Sequence, residues 1–229
     1  MSNLSLAGWL ERLEQLHPSA IDLGLSRCGE VARRLDLVDA GIITATVAGT
    51  NGKGTTVAVM ESVLSTSGVR CGAFTSPHLI RFNERIRVDG QEVSDETIIA
   101  AFEAIERARE EISLTYFEFG ALAALWIFKT FNVQYQLLEV GLGGRLDAVN
   151  IIDADVTVIA AIGLDHQEWL GETVDAIAVE QRGIARRGGR WRGTRGSSRV
   201  AGFARGRGER ERGGEGKRVE LGGRRIMKK

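Results

Sequence analysis

Proline is nearly missing from this chain, with 2 in 229 residues, and there are only 2 cysteines, 3 histidines and 6% aromatic residues. Cys28 and Cys71 stand in no metal-ligand spacing, which excludes a zinc ribbon and a disulfide framework. A reducing, cytoplasmic setting with two inert thiols is the expectation. No apolar run approaches the roughly 20 residues of a membrane span, and no secretory signal precedes the first helical segment. Net charge is missing too, since 30 Lys+Arg balance 30 Asp+Glu. That balance averages two unlike parts. Residues 186–229 hold 13 Arg, 3 Lys, 4 Glu and 12 of the 29 glycines, a net +12, so residues 1–185 carry −12. Segments of such different charge are read separately. The basic part contains two aromatic residues, Trp191 and Phe203, too few for a base-stacking platform, so nucleic acid is not the expected partner.

What is present is an alternation of strand and helix signals. Leu6, Trp9, Leu10, Leu13 and Leu16 recur at helical spacing within Leu4–Leu16, and a second amphipathic run covers Ser26–Leu37. "GIITATVAG" (Gly41–Gly49) is rich in β-branched residues and reads as a buried strand. Thr55–Gly68 reads as a helix with Gly68 as its stop, followed by a short strand at Val69–Phe74. Asp89-Gly90 marks a hairpin turn, and Ser94 is placed to cap a helix to about Arg109. Phe117–Phe131 is apolar nearly all round and reads as a buried helix. "YQLLEVG" and Asp153–Gly163 read as strands covered on both faces. The expected fold class is α/β with a mostly parallel sheet.

The most informative stretch is "VAGTNGKGTT" (Val47–Thr56), a glycine-rich loop between a strand and a helix. Glycines let backbone N–H groups turn toward phosphate oxygens, and a helix N-terminus adds positive potential. Lys53 can reach β- and γ-phosphates, and the hydroxyl of Thr55 or Thr56 can sit near Mg²⁺. Val47 and the extra Gly54 depart from the common spacing, so this is a variant P-loop.

"AGTNGKGTT", "TSPHLIRFNERI", "LTYFEFG", "LEVGLGGRLDAVN" and "LDHQEWLG" occur in that order between about Trp9 and Glu180. Together they resemble bifunctional dihydrofolate synthase/folylpolyglutamate synthase, a Mur ligase relative, through the ATPase part of that family. The resemblance implies a C-terminally truncated Mur-ligase-like ATP-binding domain over residues 1–185. It implies ATP-dependent addition of L-glutamate to dihydropteroate or tetrahydrofolyl-(poly)glutamate through an acyl phosphate, with Mg²⁺, in a cytoplasmic monomer. By resemblance Thr50, Asn51, Gly52, Lys53, Gly54 and Thr55 hold the nucleotide, and Ser76, Glu139 and His166 are the magnesium ligands. Lys53 and His166 carry the catalytic roles. Asp22, Leu23, Gly24, Leu25, Thr115, Tyr116, Phe117, Glu118, Leu146, Asp147 and Ala148 match segments that contact the pterin substrate. Tyr116 and Phe117 offer an aromatic face for a flat ring, or else core packing at a helix start. Arg145 is expected to pair with Asp147 or with an anionic ligand, and His78 to be structural.

The resemblance breaks at Glu180-Gln181-Arg182-Gly183-Ile184. There the family carries E-K-A-G-I, whose carbamylated lysine helps to hold a second Mg²⁺. Gln181 cannot be carbamylated, so a negative ligand is missing and the chain is expected to be inactive or impaired. Residues 186–229 lack apolar periodicity and are expected to be disordered. Three origins fit them: a shifted reading frame, a genuine RNA-binding Arg/Gly segment on a relic ATPase, or a pseudoenzyme that keeps ATP or folate binding. Composition favours the first.

Overall fold

The computed structural model describes residues 4–185 and 190–193. A seven-stranded sheet of order β4-β3-β2-β5-β1-β6-β7 forms the frame. Its strands are β1 (Ile43–Ala48), β2 (Cys71–Phe74), β3 (Ile86–Val88), β4 (Gln91–Glu92), β5 (Tyr135–Glu139), β6 (Val156–Ile159) and β7 (Arg190–Gly193). Pairings along β2-β5-β1-β6-β7 are all parallel, and the β3-β4 hairpin adds an antiparallel margin beside β2.

Alternation along the strands sorts residues between two faces. On one side Ala45, Val47, Ala73 and Leu137 pack on Val57 of α3 (Lys53–Thr66). On the other, Ala48, Phe74 and Leu138 join the main core with α1 (Leu6–Leu16), α2 (Ser26–Arg34), α4 (Asp95–Arg109) and α5 (Tyr116–Thr130). That core centres on Phe102, whose ring lies 5.4–5.8 Å from those of Phe119, Phe82 and Trp9. Each such contact contributes about 0.5–1.5 kcal/mol beyond area burial. Helix α5 buries ten residues, as its all-round apolar sequence demands. Two short helices, α6 (Gln167–Leu170) and α7 (Val174–Arg182), follow β6.

Caps explain the helix starts. Ser5, Ser94, Thr115 and Thr173 each accept a backbone N–H at the first turn of α1, α4, α5 and α7. Helix α2 ends at Arg34, short of the expected Leu37, because Asp36 takes a left-handed φ of 53°. Asp89 and Gly90 both have positive φ in the β3-β4 turn, the requirement of a type I′ hairpin. Helix α3 starts at Lys53 rather than Thr55, with Gly52 at φ 82° as its N-terminal neighbour.

The Arg/Gly-rich stretch departs from expectation at one place. Arg190–Gly193 pairs in parallel with Val156–Ile159 at the sheet edge. Strand pairing is made by backbone amides, so a lack of apolar side-chain periodicity does not forbid it. The rest of the segment expected to be disordered lies outside the described residues.

Candidate functional site

Parallel strands deliver their C-terminal ends to one edge of the sheet, where open α/β folds place ligands. The loop after β1 lies there. Gly49, at φ 143°, lets it pass close to β6, since a Cβ at this position would sit 3.0 Å from the Ala160 Cβ. The loop is then stitched to the segment after β6. Thr50 N donates to the Ala161 carbonyl at 2.7 Å, Asn51 N reaches the same oxygen at 3.4 Å, and Ala161 N donates back to the Asn51 carbonyl at 3.2 Å. The Thr50 hydroxyl donates to the Gly163 carbonyl and accepts from the Gly163 N–H, each at 3.0 Å, and accepts from Gln181 Nε2 at 3.3 Å.

These bonds change the parts assigned to two residues. A hydroxyl offers one donor and two acceptor sites, and those of Thr50 are all used. The N–H groups of Thr50 and Asn51 are also spent within the fold. Both residues therefore brace the loop, while the N–H groups at the opening turn of α3, from Lys53 onward, have no carbonyl partner within the helix. Lys53 Nζ bonds the Gly49 carbonyl at 2.9 Å, and Thr56 Oγ1 donates to the Gly52 carbonyl at 2.7 Å. That bond uses the Thr56 proton and leaves its oxygen lone pairs, so the hydroxyls of Thr55 and Thr56 both remain candidates for a cation.

Beside Lys53 opens a cavity of about 390 Å³. Its walls include Lys53, Ser76, Pro77, Arg85 and His166 at the phosphate-loop end, with Asp22, Leu23, Gly24, Thr115, Phe117, Glu118, Leu146, Asp147 and Ala148 beyond. Most residues assigned to the substrate from sequence thus share one wall. Leu25 and Tyr116 do not line it. Tyr116 instead stacks edge-on against Phe82 at 5.9 Å, beneath the Arg85 guanidinium. Of the two aromatic candidates only Phe117 presents a ring to the cavity, held against Phe74 at 5.7 Å.

Two carboxylates are poised by burial. Glu139, 4% exposed, accepts from Ser76 N at 3.2 Å. Desolvation pushes its pKa up, opposed by the Ser76 N–H and the charges of Lys53 and Arg87. Asp147, 3% exposed, is pushed up to about 6 by desolvation, although its oxygens accept from the N–H groups of Leu142, Val149 and Gly141. Arg145 does not pair with it. That guanidinium turns to Glu180 at 3.0 Å, while the oxygens of Asp147 take three backbone donors. Ser76 and His166 both line the cavity, His166 on an exposed turn with φ 47°. His78 accepts from Arg85 Nε at 2.7 Å, as a structural residue would.

Reading by sequence missed Arg27, which joins Asp22 at 2.7 Å to Glu118 at 3.1 Å and so ties together two residues of the cavity wall. It also passed over Arg85, although this residue stands inside "TSPHLIRFNERI". No local pattern distinguishes either from other surface arginines. Thr115 and Glu118 form a reciprocal cap at the start of α5, so both have a fold role as well.

The chain is 53% identical over 181 residues to the dihydrofolate synthase/folylpolyglutamate synthase of Escherichia coli, a match over 79% of this chain and 43% of that protein. The Haemophilus influenzae protein of the same description is 50% identical over 181 residues, covering 79% and 41%. The chain belongs to the dihydrofolate synthase/folylpolyglutamate synthase family. No protein-family model matches it. Two solved structures share the fold. E. coli FolC in complex with DHPP and ADP superposes with a TM-score of 0.78 at 52% identity, over 80% of this chain and 44% of that one. A bifunctional folylpolyglutamate synthase/dihydrofolate synthase with Mn, AMPPNP and L-glutamate bound gives 0.79 at 46% identity, over 88% and 50%. This member of the family spans less than half the length of the curated relatives it matches.

Proposed function

We propose that residues 1–185 form the nucleotide- and pterin-binding unit of an ATP-dependent ligase that adds L-glutamate to dihydropteroate or tetrahydrofolyl-(poly)glutamate. The observation that carries this reading is the single cavity running from Lys53 at the phosphate loop to Asp147. Structures of relatives described as holding ADP with DHPP, and AMPPNP with Mn and L-glutamate, support the same ligand classes.

In this reading the opening turn of α3 receives the phosphates and Lys53 neutralises charge on the β- and γ-phosphates. The pterin-linked carboxylate attacks the γ-phosphate and displaces ADP. The amine of glutamate then attacks the acyl phosphate and expels inorganic phosphate. Such chemistry needs positioning and charge compensation more than a protein nucleophile. Lys53 is the group that meets the growing charge. Phe117 and the Leu146–Ala148 loop orient the flat ring, and Asp147 offers it a hydrogen-bonding carboxyl.

The donor set fits one hard cation. Glu139 is a desolvated carboxylate beside Ser76, and buried charge of that kind is relieved by a divalent ion. Ser76 and Glu139, with His166 at the cavity margin, would hold Mg²⁺, which supplies charge neutralisation at the phosphates. Among the described residues no three His, Cys, Asp or Glu side chains cluster as a self-sufficient metal site. Among the same residues no helix is long and apolar enough to cross a membrane. From the family resemblance alone comes the reading of a cytoplasmic monomer. Replacement of the family lysine by Gln181 impairs turnover.

Calorimetric titration of AMPPNP with Mn²⁺ into the chain tests the site. Lys53→Met is expected to weaken binding at least about tenfold, the loss of one charge-assisted contact of roughly 1.5–3 kcal/mol. A folded wild-type chain that fails to bind the nucleotide sinks the reading.

A further inference from the structure

The end of α7 reaches the phosphate loop through one side chain. Gln181 is 2% exposed, its Nε2 donates to Thr50 Oγ1 at 3.3 Å, and its Oε1 has no partner among the described residues. The Thr50 hydroxyl decides which way round the amide lies. It gives its proton to the Gly163 carbonyl and one lone pair to the Gly163 N–H. Only a donor can take the remaining lone pair. The amide nitrogen is that donor, and the amide oxygen is left over.

An anion at this position has no proton to offer Thr50 and carries a charge that burial penalises. It would need a cation beside it. Gln181 carries no charge and needs no cation, so the residues present do not fit the second divalent ion implied by the family pattern. The same end of α7 is anchored on the Asp147 loop. Arg145 N donates to the Glu180 carbonyl at 3.0 Å, and Arg145 forms its ion pair with the Glu180 carboxylate. Gln181 therefore hangs from a fixed support.

We propose that Gln181 is a positioning residue that steadies the phosphate loop through Thr50 with a neutral hydrogen bond. In consequence the chain binds nucleotide with one divalent cation rather than two. This inference rests on the nucleotide site proposed above.

The test uses the full chain with AMPPNP, counting bound Mn²⁺ by electron paramagnetic resonance and measuring nucleotide affinity across a Mn²⁺ series. Wild type is expected to hold one Mn²⁺ per nucleotide. Gln181→Leu is expected to bind nucleotide about tenfold more weakly, the size of one lost hydrogen bond, still with one Mn²⁺. Gln181→Glu is expected to be weak at low Mn²⁺ and to recover as a second Mn²⁺ binds. A side chain that only filled space would leave both variants equally weak at every Mn²⁺ concentration, and that result overturns the proposal. Two Mn²⁺ per nucleotide in wild type overturns it as well, while the nucleotide site stands. No nucleotide bound to a wild-type chain with a native circular dichroism spectrum overturns both. Melting curves show whether each variant folds, and if Gln181→Leu does not, the wild-type count and Gln181→Glu still decide.

Discussion

Asp147 gives the sharpest quantitative prediction. Its carboxyl is 3% exposed, and burial lifts its pKa from 3.8 to about 6 against the pull of three backbone N–H groups. A raised acid binds its proton more tightly in the folded state, so folding is favoured at low pH. Stability is lost as pH rises between the unfolded and folded values, and the full cost is present above about pH 6. A shift of that size corresponds to about 3 kcal/mol. Asp147→Asn is neutral throughout, matches the protonated acid in shape, and keeps one carbonyl oxygen for the Gly141 and Leu142 N–H groups; the cost of placing its NH2 against the Val149 N–H does not vary with pH. Urea unfolding of both proteins, followed by tryptophan fluorescence at a series of pH values from about 4 to about 7.5, isolates the effect, because other titrating groups cancel in the difference. The stability difference is expected to move toward the variant by roughly 2–3 kcal/mol across that range. A difference that stays constant with pH refutes the reasoning, since it would mean that Asp147 titrates alike in the folded and unfolded chain.

Two further substitutions test the frame that positions the site. In Gly72→Ala the new Cβ would lie 2.3 Å from the ring of fully buried Phe128, so a loss of about 1–3 kcal/mol is expected in thermal or urea unfolding. Adding Phe128→Leu should return part of it, and no recovery would point to a cause other than this contact. Thr115→Ala removes the cap of α5 and leaves the buried Glu118 N–H without its side-chain acceptor. It should cost about 1–2 kcal/mol, and a change indistinguishable from zero in the same assay argues against the cap.

Local signals in the sequence reach a long way here. The β-branched run around Val47 and the all-round apolar helix around Leu122 announce buried elements, because burial on both faces leaves no room for polar alternation. Ser94 and the Asp89-Gly90 pair mark boundaries through capping and turn chemistry that act over three or four residues. Element ends are less legible. Helix α2 stops at Arg34 because Asp36 adopts a left-handed conformation, which no neighbouring glycine or proline signals. Arg190–Gly193 has an arginine-rich composition that hides a strand, since its pairing with β6 is a property of the backbone and of an available edge.

The sequence by itself determined the phosphate loop and the alternation of strands and helices, while Glu139, Asp147 and the odd residue at 181 stood out through the family resemblance and the burial of the two carboxylates came from the fold. The loop and the alternation follow from spacing, turn chemistry and residue type, all of which act over a few neighbours. Only the tertiary structure decided which partners those groups take. It spends the Thr50 hydroxyl on Gly163 and Gln181, more than a hundred residues away in the chain. It sends Arg145 to Glu180, turns Tyr116 out of the cavity, brings Arg85 to its wall and ties Asp22 to Glu118 through Arg27. A hydrogen bond is won by whichever donor the fold brings within about 3 Å, and that competition is settled between distant segments.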